Sequence, residues 1–306
     1  MTAPKIVLGD LDFDTIKTNL KNFLRTQSEF SDYDFEGSGL NILLDILAYN
    51  THYNAFYMNM IANEMFMDSA SLRNTVVSHA KLLGYTPRSV TSSQAVVNVA
   101  ITKSNTDPTT VLTLPRFAPF ISEAINGTSY RFLNTSQQTV ALTANSNTFN
   151  FSELVLKEGT PASYVFVADS STNPSEIFVL PDANVDTSTL IVTVQASSTN
   201  TNQTIFTLAT DATEVSATSN VYFLEENVDG KYQIYFGDDI IGASLSDGNL
   251  VAVSYIISNG TNANGLQKFT LQTPVLAGST SNVTTLVKSS GASLQELVED
   301  IKFSAP

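Results

Sequence analysis

The sequence contains no cysteine and only two histidines. The first absence removes disulfides, thiolate nucleophiles and cysteine-ligated zinc or iron–sulfur sites together. It fits a reducing compartment, and a disulfide-free secreted chain equally well. The second leaves His52 and His79 as the sole imidazoles, so a Ser–His–Asp triad would have to use one of them. Both fall on predicted helices, and each reads as a polar contact in helix packing. Basic charge is also scarce: 15 Lys and Arg stand against 29 Asp and Glu, a net charge of -14. Residues 1–90 carry seven basic against ten acidic side chains and residues 91–306 eight against nineteen, so the imbalance sits mainly in the second stretch. A surface of this sign repels phosphate backbones, whose binding needs clustered Lys and Arg, so no nucleic-acid partner is expected. Charged residues make up 14% of the chain, below the roughly 25% usual for soluble domains, and Ser, Thr and Asn fill the gap. No apolar run approaches the ~20 residues of a membrane span. The stretch Met1–Asp12 has no basic region followed by an apolar one, so no signal peptide is expected and synthesis in a cytoplasm is.

What is present divides by period. Apolar residues at Phe13, Ile16, Leu20, Phe23 and Leu24 share one face of a helix, with Asp12 as its N-cap. A longer helix is predicted from about Leu40 to Met65. Along it Ile42, Ile46, Tyr49, Tyr53, Phe56 and Met60 alternate spacings of four and three, and Leu40, Leu43, Leu44 and Leu47 form a second stripe. Two apolar faces cannot both be covered by one neighbour, so this helix belongs inside a bundle. A third helix is predicted from Asp68 or Ser69 to Gly84, a residue suited to the left-handed position after a helix.

Near Thr91 the period changes to two. Val97, Val99 and Ile101 alternate with polar or small residues, and strands are expected at 129–133, 153–157, 165–167, 177–180 and 190–194. Residues 199–220 fit either a weak strand pair with long loops or a surface insertion. Val221–Glu225 and Lys231–Phe236 predict a hairpin about Asp229-Gly230, and Val251, Val253, Tyr255 and Ile257 a further strand. A terminal helix is expected from Ser293 to Phe303, with Ser293 and Glu296 as a capping box; it looks interrupted where the chain stops. Gly237, Gly242 and Gly248 punctuate short strands, as positions of positive φ would.

Chemical readings find little support. Gly237-Asp238-Asp239 imitates a magnesium-binding turn, but such chemistry also needs a basic substrate channel. A glycosidase needs two carboxylates across a cleft, and Glu153, Glu158, Asp182, Glu225 and Glu226 are available for one. Catalytic residues, cofactor and metal are therefore all expected to be absent.

Two stretches resemble a known family. Tyr232–Asp238, with Tyr235, Phe236, Gly237 and Asp238, followed by Gly242, Gly248, residues 251–255, Asn259-Gly260 and Asn264-Gly265, resembles the signature of the baseplate J family. Asp32-Tyr33-Asp34-Phe35-Glu36-Gly37-Ser38, then Leu40-Asn41 and residues 47–51, resembles the N-terminal region of the T-even-type baseplate wedge subunit in that family. Leu114-Pro115-Arg116-Phe117 departs from the family's usual Pro-x-Gly turn. The resemblance implies a structural subunit of a contractile phage tail that forms homodimers. It further implies a helical bundle with a larger wedge subunit, contacts with small wedge and sheath-initiator proteins, and neighbouring wedges joined into a ring around the hub. A tail adhesin or a polysaccharide-binding or polysaccharide-cleaving tail protein is the alternative.

The expectation is thus an α+β protein: an N-terminal helical domain, a β-rich body and a C-terminal linker helix. Residues 1–90 are the docking and dimerisation domain, 91–220 a β-rich domain with a polar insertion, 221–290 a baseplate-J-like β-region, and 291–306 a linker helix. The interface is expected at Ile42, Ile46, Tyr49, Tyr53, Phe56 and Met60.

Overall fold

A computed structural model describes residues 12–27, 38–125, 127–143, 146–169, 171–172, 176–210 and 215–305. The fold is α+β, and the chain forms two compact units. One runs through Tyr85 and takes in the chain from Leu297 onward; the other spans Thr86–Glu296.

The first unit is helical. In α1 (Phe13–Arg25), Asp12 caps the first turn, accepting from Thr15 N at 3.0 Å and from the Thr15 hydroxyl at 2.6 Å. Those bonds hold its carboxyl below the usual range. Helix α2 (Gly39–Glu64) starts from Ser38, which accepts from Asn41 N at 3.0 Å. Helix α3 (Arg73–Leu82) begins later than the sequence predicts. The Glu64 carboxylate takes the backbone N–H groups of Ser71 and Leu72 and the Ser71 hydroxyl, and so occupies the donors an earlier helical turn would leave free. Gly84 follows α3 at φ +75, as expected. The short α4 (Val298–Ser304) inserts Ile301 among Ala70, Val76, Val77 and Ala80.

The terminal helix forms but begins at Val298 rather than Ser293, and the expected capping box is not made. Ser293 instead bridges Thr91 through backbone bonds of 3.0 and 3.1 Å, and Glu296 accepts from Arg88 N at 2.8 Å. Pairing with a distant segment outweighs a local helix signal of a few tenths of a kcal/mol per residue.

The second unit is built of strands. They are β1 (Gln94–Thr102), β2 (Val111–Leu114), β3 (Pro119–Ser122), β4 (Arg131–Asn134), β5 (Gln138–Ala141), β6 (Thr148–Glu158), β7 (Thr160–Val167) and β8 (Phe178–Val179). They continue as β9 (Val185–Gln195), β10 (Gln203–Leu208), β11 (Val221–Glu226), β12 (Tyr232–Phe236), β13 (Leu250–Ile257), β14 (Phe269–Leu271) and β15 (Thr280–Ser290). One sheet has the order β14-β3-β4-β6-β1-β15, a second β7-β13-β9-β10-β11-β12-β8, and β2 pairs with β5. Residues 199–220 thus contribute a strand, β10, which is antiparallel to β9 and parallel to β11. The stretches 91–220 and 221–290 interleave: β13 lies between β7 and β9, and β15 pairs with β1. Each sheet has its own core, around Phe120, Phe132, Phe149 and Phe151 in one and Val192, Ile234, Val253 and Tyr255 in the other.

The chain passes from the first sheet to the second through a single residue, Gly159, between β6 and β7. It sits at φ +138, and a Cβ there would lie 2.3 Å from the Ile257 carbonyl oxygen, so only glycine fits. Polar side chains clasp the sheets on both sides of this crossing. The fully buried Glu158 accepts from Asn259 Nδ2 at 2.6 Å, Asn259 N at 3.1 Å and the Ser258 hydroxyl at 3.3 Å. Lys157 Nζ donates to Asp186 at 2.9 Å, and Asp186 also accepts from Ser92 N at 3.0 Å. Burial pushes the Glu158 carboxyl above its usual range, and the three donors only partly offset it. Burial acts the same way on Asp186, but the Ser188 hydrogen bond, the Lys157 charge and the Ser92 amide outweigh it and hold that carboxyl low.

The two carboxyls therefore respond to pH with opposite sign. Glu158 contributes fully below its unfolded value of 4.5 and loses that contribution as pH rises through its raised folded value. Glu158→Gln, with the Asn259 amide turned to accept, should gain stability over the parent as pH is raised from about 4 to about 8. Asp186 contributes above 3.8 and loses its contribution as pH falls. Asp186→Asn should cost about 3 kcal/mol at neutral pH, because it strands the Lys157 ammonium, and the deficit should shrink in acid. Thermal midpoints of both variants across pH check the pair; parallel profiles would show the clasp to be energetically idle.

Candidate interaction surface

Among the described residues, helix α2 leaves most of its large apolar side chains exposed. Helix α1 packs on it, Lys17 pairs with Asp45, and the buried line is Asn41, Leu44 and Ala48, with Asn59 and Ala62 further along. Of the second predicted stripe only Leu44 is buried; Leu43 and Leu47 face out. All six residues of the predicted interface are exposed, from 40% at Met60 to 60% at Ile46. Their flanks are apolar too, with Tyr57, Met58 and Ile61 exposed beside them. The aromatic half is ordered as a ridge. Tyr49 and Tyr53 meet edge to face at 4.7 Å with their hydroxyls 2.9 Å apart, and Tyr57 follows 6.3 Å beyond Tyr53. The hydrogen bond to Tyr49 pushes the Tyr53 hydroxyl's pKa up. His52 stands 5.8 Å from the Tyr53 ring, and His79 Nε2 lies 3.0 Å from the Glu64 carbonyl oxygen.

Asp32, Tyr33, Asp34, Phe35, Glu36 and Gly37 lie outside the described residues. The second signature is described in full, and its residues serve the backbone. Tyr235 stacks on Phe223 across the β11–β12 hairpin at 5.0 Å, and burial together with Glu225 pushes its hydroxyl up to about 12. Phe236 meets Phe206 and Phe178 edge to face at 5.3 and 5.8 Å. Asp238 accepts from Ile240 N and Ile241 N, both at 3.0 Å, while Asp239 accepts from Ser244 N at 2.8 Å and its hydroxyl at 2.7 Å. These bonds hold both carboxyls low and tie them to their own loop. Among the described residues no group of three or more His, Cys, Asp or Glu side chains is placed to hold a metal.

Gly242 and Gly248 have positive φ, +85 and +79, but Gly237 does not. Its requirement is space, since a Cβ would lie 2.1 Å from the Gly242 carbonyl oxygen. The later glycine pairs bring asparagines with structural duties: Asn259 holds Glu158, and Asn264 Oδ1 accepts from the Ser93 hydroxyl at 2.8 Å. Asn259 and Asn264 are legible in the sequence as signature residues but not in these roles; their partners, the buried Glu158 and Ser93, lie more than a hundred residues away and leave no local trace.

Residues 12–85 match the family model "Baseplate wedge protein gp6-like, helical domain", and residues 165–265 match "Bacteriophage baseplate wedge protein gp6, third domain". The chain belongs to the gp6-like baseplate wedge protein family. Among curated relatives it is similar to "Baseplate wedge protein gp6" of Enterobacteria phage T4, 31% identical over 281 residues. That match takes in 87% of this chain and 41% of the relative, so the chain spans about two-fifths of its length. A chain in the cryo-EM structure of the anti-feeding prophage (AFP) baseplate is similar at 11% identity, covering 98% of this chain and 60% of that one, with a TM-score of 0.31. A likeness at that level carries no argument here.

Gly237→Ala should destabilise the β unit by about 2 kcal/mol, because the loop must part from Gly242 to admit the methyl group. Thermal unfolding checks this, and an unchanged midpoint would show that the loop yields without cost.

Proposed function

We propose that this chain is a structural part of a phage tail baseplate wedge and that it acts by docking α2 into a bundle with other chains. The observation that carries the reading is the exposed stripe Ile42, Ile46, Tyr49, Tyr53, Phe56 and Met60, in a chain of the gp6-like family. Large rigid aromatics concentrate binding energy at interfaces, and this stripe holds three of them, Tyr49, Tyr53 and Phe56. In this reading a homodimer forms first. The α2 surface then joins a larger wedge subunit in a helical bundle, small wedge and sheath-initiator proteins attach, and neighbouring wedges link into a ring around the hub. The ring rearranges when the tail contracts.

The β unit serves as the rigid spacer that carries the baseplate-J-like signature. Neither catalysis nor a cofactor has a part in this role. The place of action is the virion tail baseplate, after synthesis in the host cytoplasm.

The double variant Tyr53→Asp with Phe56→Asp should weaken association by several kcal/mol, roughly a hundredfold or more. The β unit, with its own cores, should stay folded. Co-expression with the neighbouring tail genes, followed by isolation of wedge complexes, tests this. Complexes formed in normal yield would overturn the docking role. Unfolding of the whole chain would also overturn it, by showing that the stripe is internal core.

A further inference from the structure

The seam between the two sheets contains a cavity of about 240 Å³, far above the roughly 10–15 Å³ that admits a single water. Arg116, from the turn between β2 and β3, and Lys157, on β6, both line it, with Val155, Leu190, Ile191 and Ser188. This placement depends on a strained turn. Phe117, the next residue of the turn, takes φ +65, a conformation that costs a non-glycine residue about 1 kcal/mol. The Arg116 guanidinium lies 4.0 Å above the Phe117 ring. The residue with the strained backbone thus also places its ring beneath the cation.

The hydrogen bonding of Arg116 is incomplete in one respect. Nε donates to the Thr135 carbonyl oxygen at 3.1 Å, Nη1 to the Ser254 hydroxyl at 2.9 Å and Nη2 to the Thr189 carbonyl oxygen at 2.7 Å. All three acceptors are neutral. Each terminal nitrogen carries a second N–H, and among the described residues no carboxylate stands within ion-pair distance of the guanidinium. Lys157 differs, since Asp186 at 2.9 Å offsets its charge. The cavity thus has one uncompensated positive charge, in a chain whose net charge is -14. A half-buried cation without a counter-charge is incompletely solvated, and an anion entering beside it offsets part of that cost.

The walls decide which anion. One net positive charge matches a monoanion, whereas a phosphate dianion would bring excess charge close to Asp186. The aliphatic faces of Val155, Leu190 and Ile191 favour an organic tail over a bare inorganic ion. We propose that this cavity binds a small organic monocarboxylate, with the carboxylate held by the free Nη hydrogens of Arg116 and the aliphatic tail lying against Val155, Leu190 and Ile191. The site lies wholly within the β unit and is independent of the α2 docking role.

Ligand-observed saturation-transfer NMR on the full chain tests this, with 4-methylpentanoate as the probe, its neutral amide 4-methylpentanamide as the control, and inorganic phosphate as the competitor. The carboxylate should bind saturably with a Kd below about 1 mM, the amide should give no saturable signal, and phosphate should not displace the carboxylate. Arg116→Gln should weaken carboxylate binding by about tenfold or more. Equal binding of acid and amide, displacement by phosphate, or no saturable signal from the acid would each overturn the proposal. These comparisons use the unsubstituted chain and do not depend on the folding of the variant. Unchanged affinity in a folded Arg116→Gln chain would overturn it as well.

Discussion

A helix of 26 residues with large apolar side chains around most of its circumference cannot be satisfied by one neighbour. That constraint governs the helical unit. On α2 only a narrow line is buried beside α1, Asn41, Leu44 and Ala48, and the Ile42–Met60 stripe and its flanks face outward. At about 25 cal/mol per Å² of apolar surface, six such side chains represent several kcal/mol that docking of another polypeptide would recover. The Tyr49–Tyr53 hydrogen bond pre-orders part of that surface and lowers the entropy lost on docking.

The β unit meets the opposite requirement. Its two cores are separate, and the chain passes from the first sheet to the second through one glycine with no room for a Cβ. Buried polar groups on both sides of that crossing bind the sheets to each other. Lys157–Asp186 does so as an ion pair, and Glu158 through the Ser258–Asn259 corner. Geometry of this kind suits a part that transmits displacement without absorbing it, since packed and hydrogen-bonded seams deform little.

Much of the architecture was legible in the sequence because it is encoded locally. Asp12 and Gly84 bracket helices as their side-chain and backbone chemistry dictates, and the alternation at Val97, Val99 and Ile101 forms β1. The exposed stripe of α2 was visible as periodicity. Long-range pairing was not legible. Ser293 and Glu296 carry a helix-start signal but are taken by Thr91 and Arg88, and β10 is stabilised by β9 and β11 although its own composition is weak. The need for glycine at 237 was legible, but its cause was not, since a close approach of two backbone segments looks like any other turn glycine. Arg116 passed as one turn residue among four, because its missing counter-charge emerges only once Thr135, Thr189 and Ser254 converge on it.

In the proposed role, α2 presents a surface built for other chains. Sedimentation velocity of the isolated chain across micromolar concentrations measures this most directly. Concentration-dependent species larger than the 33.0 kDa chain are expected, because the uncovered stripe seeks a second copy when no other partner is supplied. A single monomeric boundary, unchanged over that range, would contradict it.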